Sequence, residues 1–381
     1  MASSMTSPEP GQGATLPASD DTNTKAAPAP GRDARLDNAK FILIALVVVG
    51  HALGSLRDYG PASTLYYWIY FFHMPAFIMI SGYLSRSFDA SSKRVEKLVL
   101  SLLVPYLIFW TIHQGIYFVG RGGPPETLSI LQPTYALWFL VALFLWRLSV
   151  PVWKRLRWPV LIAVGISVFG ATASLGETLS LGRVVSFLPF FVLGLCLRRE
   201  HFAYLDRLWV RIASVLVLGT TAVLAVPISE HMSRSWLFWT TSLTDRDIDP
   251  ILPSLGLRMG FMALALVMSF AVLALTPKRR TWFTPLGAYT LYVYLGHSVL
   301  ILLFQATPWY GMAGPTEMAV IVLLALLVTV LLCTPWVRAC MRWAVEPQLT
   351  WVLSEDSALR GERRTSDGER ADPRAKEKAG V

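Results

Sequence analysis

The run LDNAKFILIALVVVGHALGSL, residues 36–56, decides the fold: it is apolar for the length of a membrane span, yet holds His51 deep inside it and Lys40 near its start. Eleven residues of helix at about 1.5 Å each put His51 roughly 16 Å beyond Lys40, close to mid-bilayer if Lys40 marks one face. An ionisable side chain at that depth is costly in lipid, so a functional role is its first reading.

The rest of the chain continues the pattern. Of its 381 residues 54% are hydrophobic and only 15% charged, and the mean hydropathy is +0.49, values that a soluble domain of this length rarely shows. Ten apolar stretches approach the ~20 residues a spanning helix needs, near 40–56, 64–84, 98–119, 134–150, 158–174, 184–198, 209–228, 251–275, 285–305 and 316–337. The fifth and sixth are short and interrupted by glycine. Lipid offers backbone groups no partner, so such runs are helical. The expected fold class is all-α, a multi-pass protein of the cell membrane with about ten transmembrane helices.

The net charge of +9 is explained by topology better than by nucleic acid. Loops after the second, fourth, sixth and eighth runs hold fifteen Lys and Arg residues, among them Arg86, Arg94, Lys97, Lys154, Arg198 and Lys278. The alternate loops hold Arg57, Arg121, Arg183, Arg234 and Arg246, with Arg258 just inside the eighth run. The bias predicts cytoplasmic termini and an even number of spans, with the lipid bilayer as partner and no nucleic acid. Residues 1–34 and 351–381 read as disordered cytoplasmic tails, the first rich in Ala, Pro, Ser, Thr and Gly, the second densely charged. A membrane domain over 35–350 remains. Its first run is too long for the apolar part of a cleavable signal and is expected to be a retained anchor. Cys196, Cys333 and Cys340 show no metal or disulfide spacing and read as packing residues.

Within the spans, His51, His73 and His297 fall at similar predicted depth and can line one cavity. The plain alternative for any one of them is a neutral imidazole bonded to a neighbouring helix. His113 reads as a residue near the outer interface, and His201 and His231 as solvated loop residues. There is no HExxH, no CxxC pair and no acidic cluster inside the spans, so no metal is expected. The loop SEHMSRSWLFWTTSLTDRDIDP, residues 229–250, mixes Trp236, Phe238 and Trp239 with Asp245, Asp247 and Asp249. That mixture suits sugar stacking, although tryptophans at a membrane face usually form an interfacial belt.

Neutral imidazole is well suited to take a proton from a hydroxyl near neutral pH, which makes His51 a candidate general base. No GxSxG elbow accompanies it, and Ser81 has no sequence claim to covalent catalysis. Direct acyl transfer to a hydroxyl needs only a base, a held thioester and a clamp for an anionic donor. Lys40, Arg94 and Lys97 can supply that clamp; ordinary topology charge is the alternative reading of Arg94 and Lys97.

The segments RLDNAKFILIALVVVGHAL, FFHMPAFIMISGYL, KRVEKLVLSLLVPYLIFW, LWFLVALF, LPFFVLGLCLR and YTLYVYLGH, in this order and spacing, resemble the membrane-bound acyltransferase-3 family, in the branch related to fucose 4-O-acetylases. The resemblance extends over essentially all of 35–350. It implies that Lys40 and His51 match the family's basic residue and histidine separated by ten residues, with Lys in place of the more usual Arg. Arg94 and Lys97 match its paired basic residues before the third span, and Ser81, Gly82 and Tyr83 its second-span ending. It further implies a ten-helix fold, acetyl-CoA or another acyl-CoA as cytoplasmic donor, and a hydroxyl-bearing acceptor, a sugar or glycan.

The expectation is therefore a membrane O-acyltransferase that moves an acyl group, in the first place acetyl, from CoA to a carbohydrate hydroxyl. His51 is its base, and Lys40, Arg94 and Lys97 hold the donor. Asp37 orients Lys40 or the donor, and His73, Ser81 and His297 complete the cavity. The competing class is a proton-coupled exporter with a histidine relay, against which the scarcity of intramembrane Asp and Glu counts.

Overall fold

The computed structural model describes residues 33–56, 58–121, 128–173, 175–176, 178–239, 251–307 and 311–347. Nearly all of the two predicted tails, and Asp245, Asp247 and Asp249 of the loop over 229–250, lie outside the described residues.

The described residues fold as helices joined by short turns: α1 Ala34–Leu53, α2 Gly60–Leu84, α3 Ser92–Leu98, α4 Val104–Arg121, α5 Trp138–Trp153, α6 Pro159–Thr172, α7 Leu181–Cys196, α8 Arg199–Tyr204, α9 Leu208–His231, α10 Ser235–Phe238, α11 Ile251–Leu275, α12 Thr290–Gln305, α13 Pro315–Leu331 and α14 Pro335–Val345. A π-helical turn, Val99–Leu103, joins α3 to α4. Proline starts several of these helices, in α2, α6, α13 and α14, where a missing N–H has no helical partner to lose.

Each of the ten apolar stretches carries a helix. Among the described residues six helical segments are long and apolar enough to cross a membrane, or seven if α13 and α14, bent by 74° at their junction, count as one span. α2 is 25 residues long but is not among the six, since Tyr66, Tyr67, Tyr70 and His73 occupy its middle. α6 and α12 are apolar but shorter.

α1 is the centre of the bundle. Two thirds of its apolar window, 67%, is buried in protein, against 17% for α9, whose side chains face outward along most of its length. α1 packs on α2, α12 and α13, and α2 in turn on α7, α9 and α11. The α2–α7 contact depends on reciprocal glycines. A Cβ added at Gly82 would overlap the Phe191 carbonyl, and one added at Gly194 the Met79 carbonyl, so the two backbones touch where only glycine fits.

The first turns of α1 are tied down by polar contacts. Arg35 donates to the Phe202 carbonyl at 2.9 Å and pairs with Asp206. Asn38, fully buried, donates to the Pro277 and Arg279 carbonyls at 2.9 and 3.0 Å and accepts from Thr281 and Thr284 at 3.1 and 2.6 Å. These bonds fix the turn before α12 against α1.

Candidate functional site

α1 begins at Ala34, six residues before Lys40, so His51 lies in its last turn. At 1.5 Å per residue it stands about 26 Å above the helix start, near the far end of the helix. There it borders a cavity of about 460 Å³. Tyr66, Tyr70 and His73 of α2 form one wall, and Tyr135, Trp138 and Tyr294 face them. Pro133, Ser180, Arg183, Arg234 and Gln305 also border it. These last residues lie in connections or at helix termini at one end of the bundle, the end at which α1, α9 and α12 finish and α2, α5 and α7 begin.

His51 Nδ1 lies 3.0 Å from the Tyr135 hydroxyl, and its ring centroid lies 5.3 Å from that of His297 and 6.0 Å from that of Tyr70. Tyr70 bridges onward to His73 at 4.6 Å and stacks on Tyr66 at 4.0 Å. Two of the three imidazoles predicted to share a cavity, those of His51 and His73, line it together; His297 sits against His51 at its edge.

Their protonation follows from the local backbone. In a helix, His Nδ1 can donate to the carbonyl four residues earlier, and it does so in His73 to Ile69 at 2.8 Å and in His297 to Val293 at 2.9 Å. Each then carries its lone pair on Nε2. In His297 that nitrogen is buried and has no hydrogen-bond partner among the described residues. His51 differs, because its Nδ1 meets a phenol and not its own helix.

Tyr135 adopts a backbone φ of 51°, the left-handed region that a bulky aromatic rarely enters. Such a conformation persists only where surrounding contacts over-determine it. Here the Tyr294 hydroxyl bonds the adjacent Ala136 carbonyl, and the Tyr135 ring packs 4.9 Å from His51. Arg183 lies over the Trp138 ring at 5.1 Å and Arg234 over Tyr66 at 5.6 Å, placing both guanidinium groups beside aromatic walls of the cavity.

The predicted cations separate into two places. Lys40 pairs with Asp37 at 2.8 Å. Arg94 and Lys97 instead border a cavity of about 300 Å³ at the opposite end of α2, together with Arg147. Lys40 is not among its lining residues. Ser81 donates to the Phe77 carbonyl at 2.9 Å and borders neither cavity, so it contributes to helix α2 and not to the pocket.

His113 is also corrected. It is fully buried, joining Thr134 at 3.1 Å and Ser298 at 3.0 Å, because α4 turns this face toward α12 and away from lipid. Of the aromatic loop, Phe238 lines the larger cavity and Trp239 is buried against Phe187. Cys333 is buried, as a packing residue should be, whereas Cys196 and Cys340 are exposed. Among the described residues no three His, Cys, Asp or Glu side chains gather as metal ligands. Sequence reasoning missed Tyr135, Tyr70, Arg183 and Arg147. The alternation of loop charge marked the two arginines only as topology.

A family model described as an acyltransferase domain matches residues 33–335. Two proteins, each named nodulation protein NolL, are 32% identical to the chain. The one from Mesorhizobium japonicum aligns over 178 residues, 43% of this chain and 47% of its own length. The one from Sinorhizobium fredii aligns over 186 residues, 44% and 50%. The chain thus spans about half the length of the curated relatives it matches. No solved structure matches it.

Proposed function

Because the chain belongs to the acyltransferase-3 family, whose domain takes up most of it, we propose that it is an integral-membrane O-acyltransferase transferring an acyl group, in the first place acetyl, from cytoplasmic acyl-CoA to a carbohydrate hydroxyl. The observation that carries this reading is His51, bonded to Tyr135 at the wall of a 460 Å³ cavity inside a membrane bundle. On this reading the chain crosses the membrane ten times with both termini cytoplasmic, which the alternation of basic loops supports. The larger cavity then opens to the outer side and receives the acceptor.

With its Nδ1 proton donated to the Tyr135 oxygen, His51 keeps the lone pair on Nε2. As the acceptor hydroxyl oxygen attacks the thioester carbonyl, Nε2 takes its proton. Collapse of the tetrahedral intermediate breaks the C–S bond, and the imidazolium returns the proton to the departing CoA sulfur. The Tyr135 oxygen, already an acceptor for Nδ1–H, steadies the charged ring in between. The aromatic walls of Tyr66, Tyr70 and Trp138 suit a sugar ring, whose C–H faces stack on aromatic surfaces. Arg94 and Lys97 hold donor phosphates at the cytoplasmic end, with the pantetheine arm directed up the bundle, and Lys40, oriented by Asp37, supports the donor below His51.

The test is His51→Ala in membranes, with insertion confirmed and release of CoA thiol from acetyl-CoA measured in the presence of glycan or glycolipid extract. A general base is worth about 10²–10⁴ in rate. Turnover near that of the wild type would overturn the assignment.

A further inference from the structure

The smaller cavity holds a cation that topology alone does not require to be there. Arg147 is the tenth residue of α5, in a span otherwise apolar at that level, and its side chain is half-buried. Its Nε donates to Ser85 Oγ at 3.2 Å, and Ser85 in turn donates to the Ser81 carbonyl at 2.7 Å, so the guanidinium is held from behind. The cavity lining also includes Arg94, Lys97, Ser87 and Ser101 and contains no carboxylate. Arg94 is engaged by Asp89 at 3.5 Å and by the Ser87 carbonyl at the exposed rim. Arg147 is thus the least exposed cation of the group, and among the described residues no carboxylate pairs with it.

A second feature points the same way. The π-helical turn Val99–Leu103 directly follows Lys97 and contains Ser101. Wide turns of this kind are frequent at functional sites.

Resting on the acyl-CoA reading above, we infer that Arg147 binds a donor phosphate, forming with Arg94 and Lys97 an anion site that reads the phosphorylated end of CoA. A guanidinium fixed through Nε leaves two terminal NH₂ groups to grip one phosphate in a bidentate way, which an ammonium cannot do. Lys97, on an exposed stem, supplies charge without geometry. The three cations together favour a donor with several phosphates over a bare pantetheine thioester.

The experiment measures dissociation constants of CoA, 3′-dephospho-CoA and pantetheine for the full chain in nanodiscs, for the wild type, Arg147→Gln and Arg147→Lys. Ligand-free thermal unfolding is recorded for each. Loss of one charge-assisted phosphate contact predicts that Arg147→Gln weakens CoA about tenfold or more and leaves pantetheine unchanged. Arg147→Lys, which keeps the charge, weakens CoA by an intermediate factor and carries the test if the Gln variant does not fold. CoA bound by these variants as tightly as by the wild type overturns the inference, as does equal weakening of CoA and pantetheine, the sign of a merely structural role. A wild type that binds no CoA at all overturns the donor reading itself, which separates the two failures.

Discussion

The Tyr135 hydroxyl meets His51 Nδ1 at 3.0 Å across 84 positions of sequence, from a backbone conformation that costs energy to hold. A residue in the left-handed region costs of order 1–3 kcal/mol, and that strain is retained here where a side chain is aimed at the candidate base. In catalytic histidines the partner on one nitrogen fixes which nitrogen is left to react.

Tyr135→Phe therefore keeps the ring and removes only the oxygen. The expected result is a fall in kcat of about tenfold or more with little change in KM for acyl-CoA, since a group that acts on the base contributes in the transition state and not to donor binding. Steady-state kinetics in membranes check it. An unchanged kcat would mean that His51 reacts without this partner.

The helix pair α2–α7 yields a stability prediction. Gly82→Val drives a branched side chain into the Phe191 backbone, where no side-chain movement can relieve the overlap. Overpacking of this kind costs about 1–3 kcal/mol, and more when backbone must shift. Ser81→Ala, one position away, loses only a bond to its own helix and is expected to unfold like the wild type. Thermal unfolding in detergent, followed by size-exclusion, separates the two; equal melting of both variants would show that the helices do not need this close approach.

Asp206 supplies a pH dependence from outside the spans. Burial pushes its carboxyl up, but hydrogen bonds and charge from Lys278 and Arg35 outweigh burial and hold it below the ordinary carboxylate range. A carboxyl depressed in the folded state stabilises the fold above its unfolded value, about 3.9, and that contribution is lost as pH falls through the lower folded value. Stability should accordingly decline below about pH 4, and Asp206→Asn should remove this part of the decline while lowering the neutral-pH stability by about 1–3 kcal/mol. Unfolding midpoints of the two proteins across pH 3–7 decide it; parallel curves would dismiss the ion pair as a contributor.

How much of this could be read from sequence follows from the range of each interaction. The ten apolar runs were legible because lipid imposes length and apolarity on each helix by itself, whatever its neighbours. His51 and His73 were legible because ionisable groups stand out in such runs. Less legible was the polar start of α1, because the partners of Arg35, Asp37 and Asn38 that satisfy their charges and amide within the helical bundle come from tertiary contact or from the helix itself. Tyr135 sits at the polar start of a span, where tyrosine is commonplace, and only the docking of its turn against α12 and His51 gives it a partner. Arg147 matched the expected basic excess of an inner loop, so nothing in its position distinguished a phosphate ligand from topology charge. His113 was misread because the face of α4 it occupies is set by tertiary contact, which buries it against Thr134 and Ser298.

Lys40 and Asp37 allow the two roles of one residue to be separated. Their 2.8 Å ion pair is largely buried, Asp37 being 8% and Lys40 17% exposed, so Lys40→Met alone removes a cation from a desolvated carboxylate and is expected to lower stability by about 3–5 kcal/mol. Any rise in KM for acyl-CoA in that variant is then ambiguous. Adding Asp37→Asn removes the carboxylate charge as well, and the double variant should recover most of the lost stability, as breaking a pair costs more than deleting both partners. If Lys40 also supports the donor, KM for acyl-CoA stays raised by about fivefold or more in the double variant although its melting temperature has recovered. A KM that returns to the wild-type value together with stability would confine Lys40 to holding the first turns of α1, and would leave donor binding to the cations at the far end of α2.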